Sequence, residues 1–385
     1  MTKKIKSIRM LMIAILSLSM LTVMAGAAVA PALNVIRTHF SGCNPMYIQM
    51  IVSMPAVFIF LASLIFPKLC NHLRAKTLVM LGLILYVSGG CAAGLFDSII
   101  MVLIMRAIVG LGVGIIMPLS TGLLAFYFPP NEQTRLMGLS SAMNQMGGVI
   151  ATLISGILST ISWRATFLVY LMGLFSIILC FIFMPNDRMH QDEHHESLRG
   201  HWLVFTKYHV YIIAMFLHMS MFFIYPTNFA IETVKESIVP ADLIAVIMAG
   251  MDVVAFFGGL LFVKAKLIFK EHMRFFAPAL FIIGYLLIAL VGGWAGILIG
   301  SAFIGFANGA GVPFIMSEAA MDAGKTATTT VMPMLSAALY LGQFMSPVIT
   351  GAAAGIFGDI LYLPYYFGIA VSAIAVLWSF KIKVK

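Results

Sequence analysis

Two charged residues stand inside long apolar stretches of this chain and are its strongest candidates for chemistry. Arg106 lies in Leu103-Ile-Met-Arg106-Ala-Ile-Val-Gly110, and Asp252 lies in Met248-Ala-Gly-Met-Asp252-Val-Val. A guanidinium in such surroundings can bind an anion or influence proton transfer, and a carboxyl can take up and release a proton. Each also has a structural interpretation: Arg106 would bond backbone carbonyls, and Asp252 would stay protonated in one hydrogen bond between helices.

The elements that position these residues follow from the composition. Of the 385 residues, 62% are hydrophobic and 10% are charged, with a mean hydropathy of +1.04. Soluble domains are nearer about 45–50% apolar and about 25% charged, so the composition excludes a soluble enzyme, a disordered chain and a nucleic-acid-binding protein. The four cysteines lack metal-binding spacing. We therefore expect no metal site, and we also expect no cofactor. The high apolar content indicates that the chain is embedded in a lipid bilayer.

Twelve apolar runs are long enough to cross a bilayer as helices, which need about 20 residues each. The break between the ninth and tenth rests only on Gly292-Gly293-Trp294. The predicted spans are 10–36, 46–66, 77–96, 99–128, 136–160, 165–184, 209–231, 241–263, 275–293, 294–317, 327–355 and 362–380.

The basic residues predict the orientation. With both termini in the cytoplasm, 19 of the 23 Lys and Arg residues fall in internal segments, and only Arg37, Arg164 and Lys235 fall in external loops. This asymmetry is the positive-inside bias of membrane proteins. It accounts for the net charge of +9 without a nucleic-acid partner. We expect a multi-pass protein of the plasma membrane, which in a bacterium is the inner membrane.

The chain also repeats itself. A shift of 195 residues places the segment Arg106–Gly114 on Ser301–Gly309, Gly147 on Gly342 and Gly156 on Gly351. A polar segment near the midpoint separates the two copies. We therefore predict an all-α integral membrane fold with twelve transmembrane helices in two pseudo-symmetric six-helix bundles. The N-terminal bundle is 1–184, the cytoplasmic linker is 185–208 and the C-terminal bundle is 209–385. Such repeats are typical of secondary transporters.

Three motifs resemble those of the major facilitator superfamily. They are Arg106-xxx-Gly110-x-Gly112, Trp163-Arg164-xx-Phe167 after the fifth span, and Tyr340-Leu-Gly-Gln343-Phe-Met-Ser-Pro347 in the eleventh. The last is similar to bacterial efflux members, the drug:proton antiporter branch. The resemblance implies the major facilitator fold, alternating access, and transport of a small molecule with a proton gradient as the energy source.

Two motifs depart from that family. In the loop after the second span, Asn71 replaces the family's aspartate, followed by Arg74 and Lys76. The resemblance implies a cytoplasmic gate at these three residues, with the charge relay weakened. The fifth span keeps Gly147 and Gly156 but lacks the proline of the antiporter motif, so that motif alone does not establish antiport.

Polar and aromatic residues within the spans are the candidates for binding substrate. His218, Phe222 and Tyr225 share one helix face through i+4 and i+7 spacing, whereas we place Glu232 in the external loop that follows. The resemblance implies that the first, fourth, seventh and tenth spans line the substrate cavity. The predicted proton-coupling residues are Asp252 and Arg106. The predicted substrate-binding residues are Arg106, Asn34, Gln49, Asn144, His218, Phe222, Tyr225, Asn308, Tyr340 and Gln343.

The leading functional hypothesis is proton-coupled export of small amphipathic or drug-like compounds by a monomer. A second hypothesis is proton-coupled uptake of an organic anion or another metabolite, with Arg106 binding the negative group. A third, a membrane-embedded enzyme, lacks any HExxH or GxSxG motif in this sequence. We therefore do not expect an enzyme.

Overall fold

The protein is mainly helical across the residues that the computed structural model describes, which are 2–188, 198–235, 239–358, 360–382 and 384. These residues contain no β-strand. Short 3-10 helices and one π-helix join some of the α-helices. The α-helices are α1 Thr2–Ala27, α2 Leu33–His39, α3 Pro45–His72, α4 Ala75–Ala92, α5 Ile99–Tyr127, α6 Pro130–Ile161, α7 Met172–Phe183, α8 Leu198–Lys235, α9 Ala241–Phe269, α10 Met273–Leu286, α11 Gly293–Phe357 and α12 Leu363–Ser379.

These helices confirm the predicted membrane fold. Ten helical stretches of the described chain are long and apolar enough to cross a membrane. One of them, Ala241–Val291, contains two predicted spans, 241–263 and 275–293, and the shorter apolar helix Leu363–Ser379 is the last predicted span. All twelve predicted spans are therefore helical.

One predicted helix boundary is correct and another is wrong. Gly292 and Gly293 have φ angles of +60° and +59°, and these left-handed conformations end the helix after the π-helical segment Leu287–Val291. In contrast, the predicted break between 317 and 327 does not occur, because α11 continues from Gly293 to Phe357. The sequence Glu318-Ala-Ala-Met-Asp-Ala323 contains strong helix formers and no proline, so nothing local ends the helix there.

The chain divides into two compact units, residues Met1–Glu193 and His194–Lys385. The division falls inside the segment 185–208, which we predicted as the linker; its residues 189–197 lie outside the described part of the chain. In the first unit, α5 packs on α1, α3 and α4, and α1 packs on α6. In the second, α11 packs on α8, α9 and α10, and α10 packs on α12.

Close helix contacts at glycines recur in the two units with the same sequence shift. A Cβ atom on Gly110 would collide with the carbonyl oxygen of Pro55, and one on Gly305 would collide with that of Met251. Likewise, Gly147 meets the Met20 carbonyl and Gly342 meets the Phe216 carbonyl. Small residues allow such close backbone approach between helices in lipid. The repeat seen in the sequence therefore has a counterpart in the packing of each unit.

Candidate functional site

Arg106 lies at the centre of the first unit and is fully buried. From α5, its Nε donates a hydrogen bond to the Ile51 carbonyl of α3 at 2.7 Å. Its two terminal nitrogens donate to the Tyr170 hydroxyl and to the Ala25 carbonyl of α1. The guanidinium thus connects three segments that are distant in sequence.

The acceptors of Arg106 are carbonyls that the helices leave without a donor. Pro55 stands four residues after Ile51, and proline has no N–H to give to that carbonyl. Ala25 lies in the last turn of α1, which ends at Ala27, and the last four carbonyls of a helix have no partner within it. Arg106 supplies both missing donors, which explains how a guanidinium is tolerated in an apolar bundle.

Tyr170 completes this cluster. Its hydroxyl accepts from Arg106 and donates to the Ala25 carbonyl at 3.1 Å. Its ring packs edge-on against Tyr86 with centroids 5.3 Å apart. Arg106 is in no ion pair with a described residue. The geometry matches the structural interpretation of Arg106, and its proposed roles in substrate binding and proton coupling stay predictions.

In the second unit, Ser301 occupies the position that the 195-residue shift pairs with Arg106. The Tyr225 hydroxyl and Ser301 Oγ are 2.8 Å apart and buried, and the Tyr225 ring stacks on Phe229 with centroids 4.4 Å apart. Asp252, half-buried on α9, lies within electrostatic range of the Tyr225 hydroxyl. The structure therefore brings Tyr225 into hydrogen-bond contact with Ser301, and Asp252 acts on the same hydroxyl through its charge.

His218 lies two helical turns before Tyr225 on α8 and is buried. Its ring meets Phe281 edge-on with centroids 5.2 Å apart, and the Asn308 side chain of α11 lies within hydrogen-bonding range of it. Neither His218 Nε2 nor Asn308 Oδ1 has a hydrogen-bond partner of good geometry among the described residues. The other predicted aromatic residue of this helix, Phe222, is half-buried and packs edge-on against its neighbour Phe223.

The remaining predicted binding residues lie on α2, α3, α6 and α11. Asn144 Oδ1 accepts a 2.6 Å hydrogen bond from Thr22, so this side chain connects α6 to α1. Asn34 is half-buried on α2, and Gln49 is buried on α3. Tyr340 is half-buried and Gln343 is buried, both on α11.

The three predicted gate residues lie around the start of α4. Lys76 Nζ donates to the Phe181 carbonyl of α7 at 2.6 Å and lies 5.1 Å from the centre of the Phe181 ring. Arg74 is exposed at the N-cap of α4 without a side-chain capping bond. The Asn71 side chain lies outside the described part of the structure. Lys76 thus joins α4 to α7, and a gating role stays a prediction.

Two buried acids were not predicted as important. The expectation that Glu232 lies in an external loop is wrong, because α8 continues to Lys235 and buries Glu232, which accepts a 3.1 Å hydrogen bond from the Tyr362 backbone N–H. Glu318 is also fully buried, and Lys266 Nζ lies 2.6 Å from its Oε1. The apolar residues on both sides of Glu232, in Asn228-Phe-Ala-Ile-Glu232-Thr-Val, were the sequence feature that could have placed it inside the helix.

An exposed ion-pair cluster holds three connections of the first unit together. Arg164 Nη2 donates to both Asp97 oxygens, at 2.5 and 2.6 Å, and His39 Nε2 lies 3.1 Å from Asp97 Oδ1. The His39 ring stacks on Trp163 with centroids 4.7 Å apart. The hydrogen bond from Arg164, followed by that from His39, holds the pKa of Asp97 below its ordinary value.

Repeated bundles of apolar helices with polar residues in their interiors define a multi-pass membrane protein with the architecture of secondary transporters. Comparison with known families agrees: the model of the Major Facilitator Superfamily matches residues 15–347. The chain belongs to that superfamily.

Its curated relatives include drug-resistance proteins. The chain is 24% identical over 335 residues to the quinolone resistance protein NorA of Staphylococcus aureus, covering 80% of each chain. It is 28% identical over 104 residues to multidrug resistance protein 3 of Bacillus subtilis, covering 27% of this chain and 20% of that protein.

Solved structures share the fold. A D323A mutant of the nucleoside transporter NupG has a TM-score of 0.81 at 11% identity, covering 97% of this chain and 99% of the other. A D-xylose-proton symporter has a TM-score of 0.75 at 13% identity, covering 97% and 98%. At these identities the likeness concerns the fold alone.

Proposed function

We propose that this transporter exports small amphipathic or drug-like compounds in exchange for protons. Support comes from the relatives, which are named for resistance to quinolones and to multiple drugs. Further support comes from the polar interior of the second unit, where a carboxyl and a tyrosine hydroxyl lie close together. The chain would act as a monomer without a cofactor, in the plasma membrane, with both termini in the cytoplasm.

The observation that carries the proposal is the position of Asp252. This carboxyl is half-buried in the middle of α9 and lies within electrostatic range of the Tyr225 hydroxyl. A carboxyl in an apolar span favours its neutral form unless polar groups stabilise the anion. The Tyr225 hydroxyl, which lies within electrostatic range of Asp252, is one such polar group.

The other buried acids have partners that hold their carboxylates in place and stabilise the fold. Glu318 faces the ammonium of Lys266, and Glu232 accepts from the Tyr362 N–H. A carboxylate held by a cation or by a backbone donor keeps its charge more readily. Asp252 therefore is our choice for the carboxyl that exchanges the transported proton.

In the second hypothesis, uptake of an organic anion, Arg106 binds the negative group of the substrate. Three donors of Arg106 already bond to protein acceptors. The side chain is also fully buried, so an anion would have to enter the packed interior of the first unit to reach the two remaining N–H donors. The arrangement favours export over anion uptake.

The test is transport by purified protein in proteoliposomes under an imposed pH gradient, with a panel of cationic, neutral and anionic compounds. We expect accumulation of cationic or neutral compounds in acid-inside vesicles, and loss of that accumulation in Asp252→Asn, with exchange of substrate at zero gradient retained. The matched control is Asp242→Asn, which removes an exposed carboxylate from the first turn of the same helix. Full gradient-driven accumulation by Asp252→Asn, or gradient-driven uptake of anions only, would contradict the proposal.

A further inference from the structure

The contact between α1 and α6 in the first unit contains polar side chains that the transport proposal does not use. The hydroxyl oxygens of Ser19 and Ser140 are 2.6 Å apart and buried. One turn further along both helices, the Thr22 hydroxyl donates a 2.6 Å hydrogen bond to Asn144 Oδ1. The 195-residue shift pairs these four residues with apolar ones, which are Ala214, Leu335, Leu217 and Leu339. The polar contact therefore belongs to the first unit and is not part of the repeat.

The Thr22 hydroxyl determines which way the Asn144 amide points. This hydroxyl has one hydrogen and two acceptors in reach, the Ser19 carbonyl at 2.8 Å and Asn144 Oδ1 at 2.6 Å. Within α1, the Ser19 carbonyl already accepts the backbone N–H of the residue four positions later, so the hydroxyl hydrogen goes to Asn144. With Oδ1 directed at α1, Asn144 Nδ2 keeps two N–H donors, and no described residue accepts from them.

The packing beside Asn144 limits the freedom of this side chain. Gly147 lies three residues later on α6, and a Cβ atom there would collide with the Met20 carbonyl of α1. The two helices therefore approach closely next to the hydrogen bond between Thr22 and Asn144. A donor that is oriented before binding loses little conformational freedom when a ligand accepts from it.

Two sides of α6 are exposed, and they differ in character. The exposed apolar residues recur at intervals of four and seven, which places them on one side of the helix; they are Leu139, Met146, Leu153 and Ile157. Ser141 is exposed on the opposite side, and Asn144, three residues later, is half-buried there. Because lipid offers no acceptor to an amide N–H, the apolar side suits lipid, and the side of Asn144 suits water or a polar solute.

We propose that Asn144 Nδ2 donates a hydrogen bond to an uncharged acceptor on the transported compound, such as a carbonyl oxygen. Thr22 is the positioning residue that holds the amide in this orientation. The inference rests on the proposed function and adds to it a substrate class, amphipathic compounds that carry a hydrogen-bond acceptor. A carbonyl pairs the free N–H group, whereas a hydrocarbon analogue of the same shape leaves it without an acceptor.

The test compares two permanently charged compounds that differ at one position. The para-acetylphenyl-triphenylphosphonium cation carries a carbonyl oxygen, and its para-isopropenyl analogue carries a methylene group in place of that oxygen. Equilibrium binding of each labelled compound to the purified full-length protein, without a gradient, gives a ratio of dissociation constants. We expect the wild type to bind the acetyl compound about three- to tenfold more tightly, the effect of one neutral hydrogen bond. Asn144→Leu should bring this ratio to about one.

Variants of Thr22 distinguish positioning of the amide from packing of the helices. Thr22→Val keeps the shape of the side chain but removes the donor to Oδ1, so the ratio should fall while binding of the isopropenyl compound is unchanged. Thr22→Ser restores the hydroxyl and should restore the ratio. The matched control is Ser140→Ala, which removes the neighbouring hydrogen bond between the same helices and should leave the ratio unchanged. The Thr22 variants also decide the question if Asn144→Leu does not fold.

The possible outcomes separate this inference from the proposed function. Equal binding of the two compounds by the wild type, or a preference that persists in both Asn144→Leu and Thr22→Val, would overturn the role of Asn144 and leave proton-coupled export standing. A preference that depends on Asn144, without accumulation of either compound in acid-inside vesicles, would support the site and contradict the proposed export. Binding of neither compound would contradict both.

Discussion

The two units of this transporter use the same helix contacts but different interior chemistry. In the first unit, Pro55 leaves the Ile51 carbonyl without a donor, and Arg106 supplies one. In the second, Met251 contacts Gly305 as Pro55 contacts Gly110, and methionine has its own backbone N–H. No side-chain donor is needed there, and Ser301 stands in place of the arginine and bonds to Tyr225.

The polar groups in the interiors of the two units therefore differ in how they are bonded. The charge of the first unit is fixed by acceptors that the protein itself provides. In the second unit, Ser301 is hydrogen-bonded to Tyr225, and the Tyr225 hydroxyl lies within electrostatic range of Asp252.

The largest expected effect on stability comes from replacing Arg106 with serine, the residue at the matching position of the second unit. Arg106→Ser should lower the free energy of unfolding by about 3 kcal/mol or more, because buried carbonyls of Ala25 and Ile51 lose charged donors. Ser301→Ala should cost about 1 kcal/mol, the value of one neutral hydrogen bond. Thermal unfolding of the purified proteins measures both.

The same pair allows a sharper test through Pro55. Pro55→Ala restores the backbone N–H facing the Ile51 carbonyl, so Arg106→Ser should be less destabilising in that background. Equal costs of Arg106→Ser with and without Pro55 would show that the two residues are not coupled, and the comparison of the units would lose its physical basis.

A smaller effect is expected where the two units pack alike. Gly305→Ala should destabilise the protein by about 1–3 kcal/mol, because the added methyl group meets the Met251 carbonyl and overpacking a tight contact carries this cost. Gly250→Ala, where nothing lies within 4 Å of the new atom, should be neutral or stabilising through helix propensity. Circular dichroism melting of both variants distinguishes contact from propensity, and similar melting temperatures would argue against the close approach.

The buried acid Glu232 should matter for stability through its backbone partner. Tyr362 has a φ angle of +62°, a conformation that a tyrosine rarely adopts, and its N–H bonds to Glu232. Glu232→Ala should cost about 1–3 kcal/mol by leaving that donor unpaired. Glu232→Gln keeps an acceptor oxygen and should cost clearly less; a glutamine variant as unstable as the alanine variant would instead point to a need for the charge.

The smallest effect belongs to the exposed cluster of the first unit. The pKa of Asp97 is lowered from its ordinary value of 3.8, first by the hydrogen bond from Arg164. Because the folded-state pKa is the lower one, the stabilisation is fully present above the ordinary value and is lost as the pH falls through the folded-state pKa. The melting temperature of Asp97→Asn should therefore lie slightly below that of the wild type at neutral pH and converge with it in acid. A gap that widens in acid would contradict this assignment.

Much of the fold was predictable because membrane spans and glycine contacts depend on local sequence. The length of the apolar runs predicted the spans, and the matching of Gly110 with Gly305 under the 195-residue shift predicted the repeat. The hydrogen bond from Arg106 to the Ile51 carbonyl was not predictable, because it depends on α3 and α5 being neighbours. Glu232 was misplaced because a carboxylate near a predicted span end is compatible with a loop, although the apolar residues around it favour the helix that the structure shows.

The most direct test of the account asks which unit releases the coupling proton. Protons released per substrate bound can be counted with a pH indicator in weakly buffered detergent solution, using a compound that the transport assay identifies as a substrate. We predict release by the wild type and by Asp242→Asn, and none by Asp252→Asn at equal substrate occupancy. Undiminished proton release by Asp252→Asn would contradict the claim that Asp252 of the second unit carries the proton.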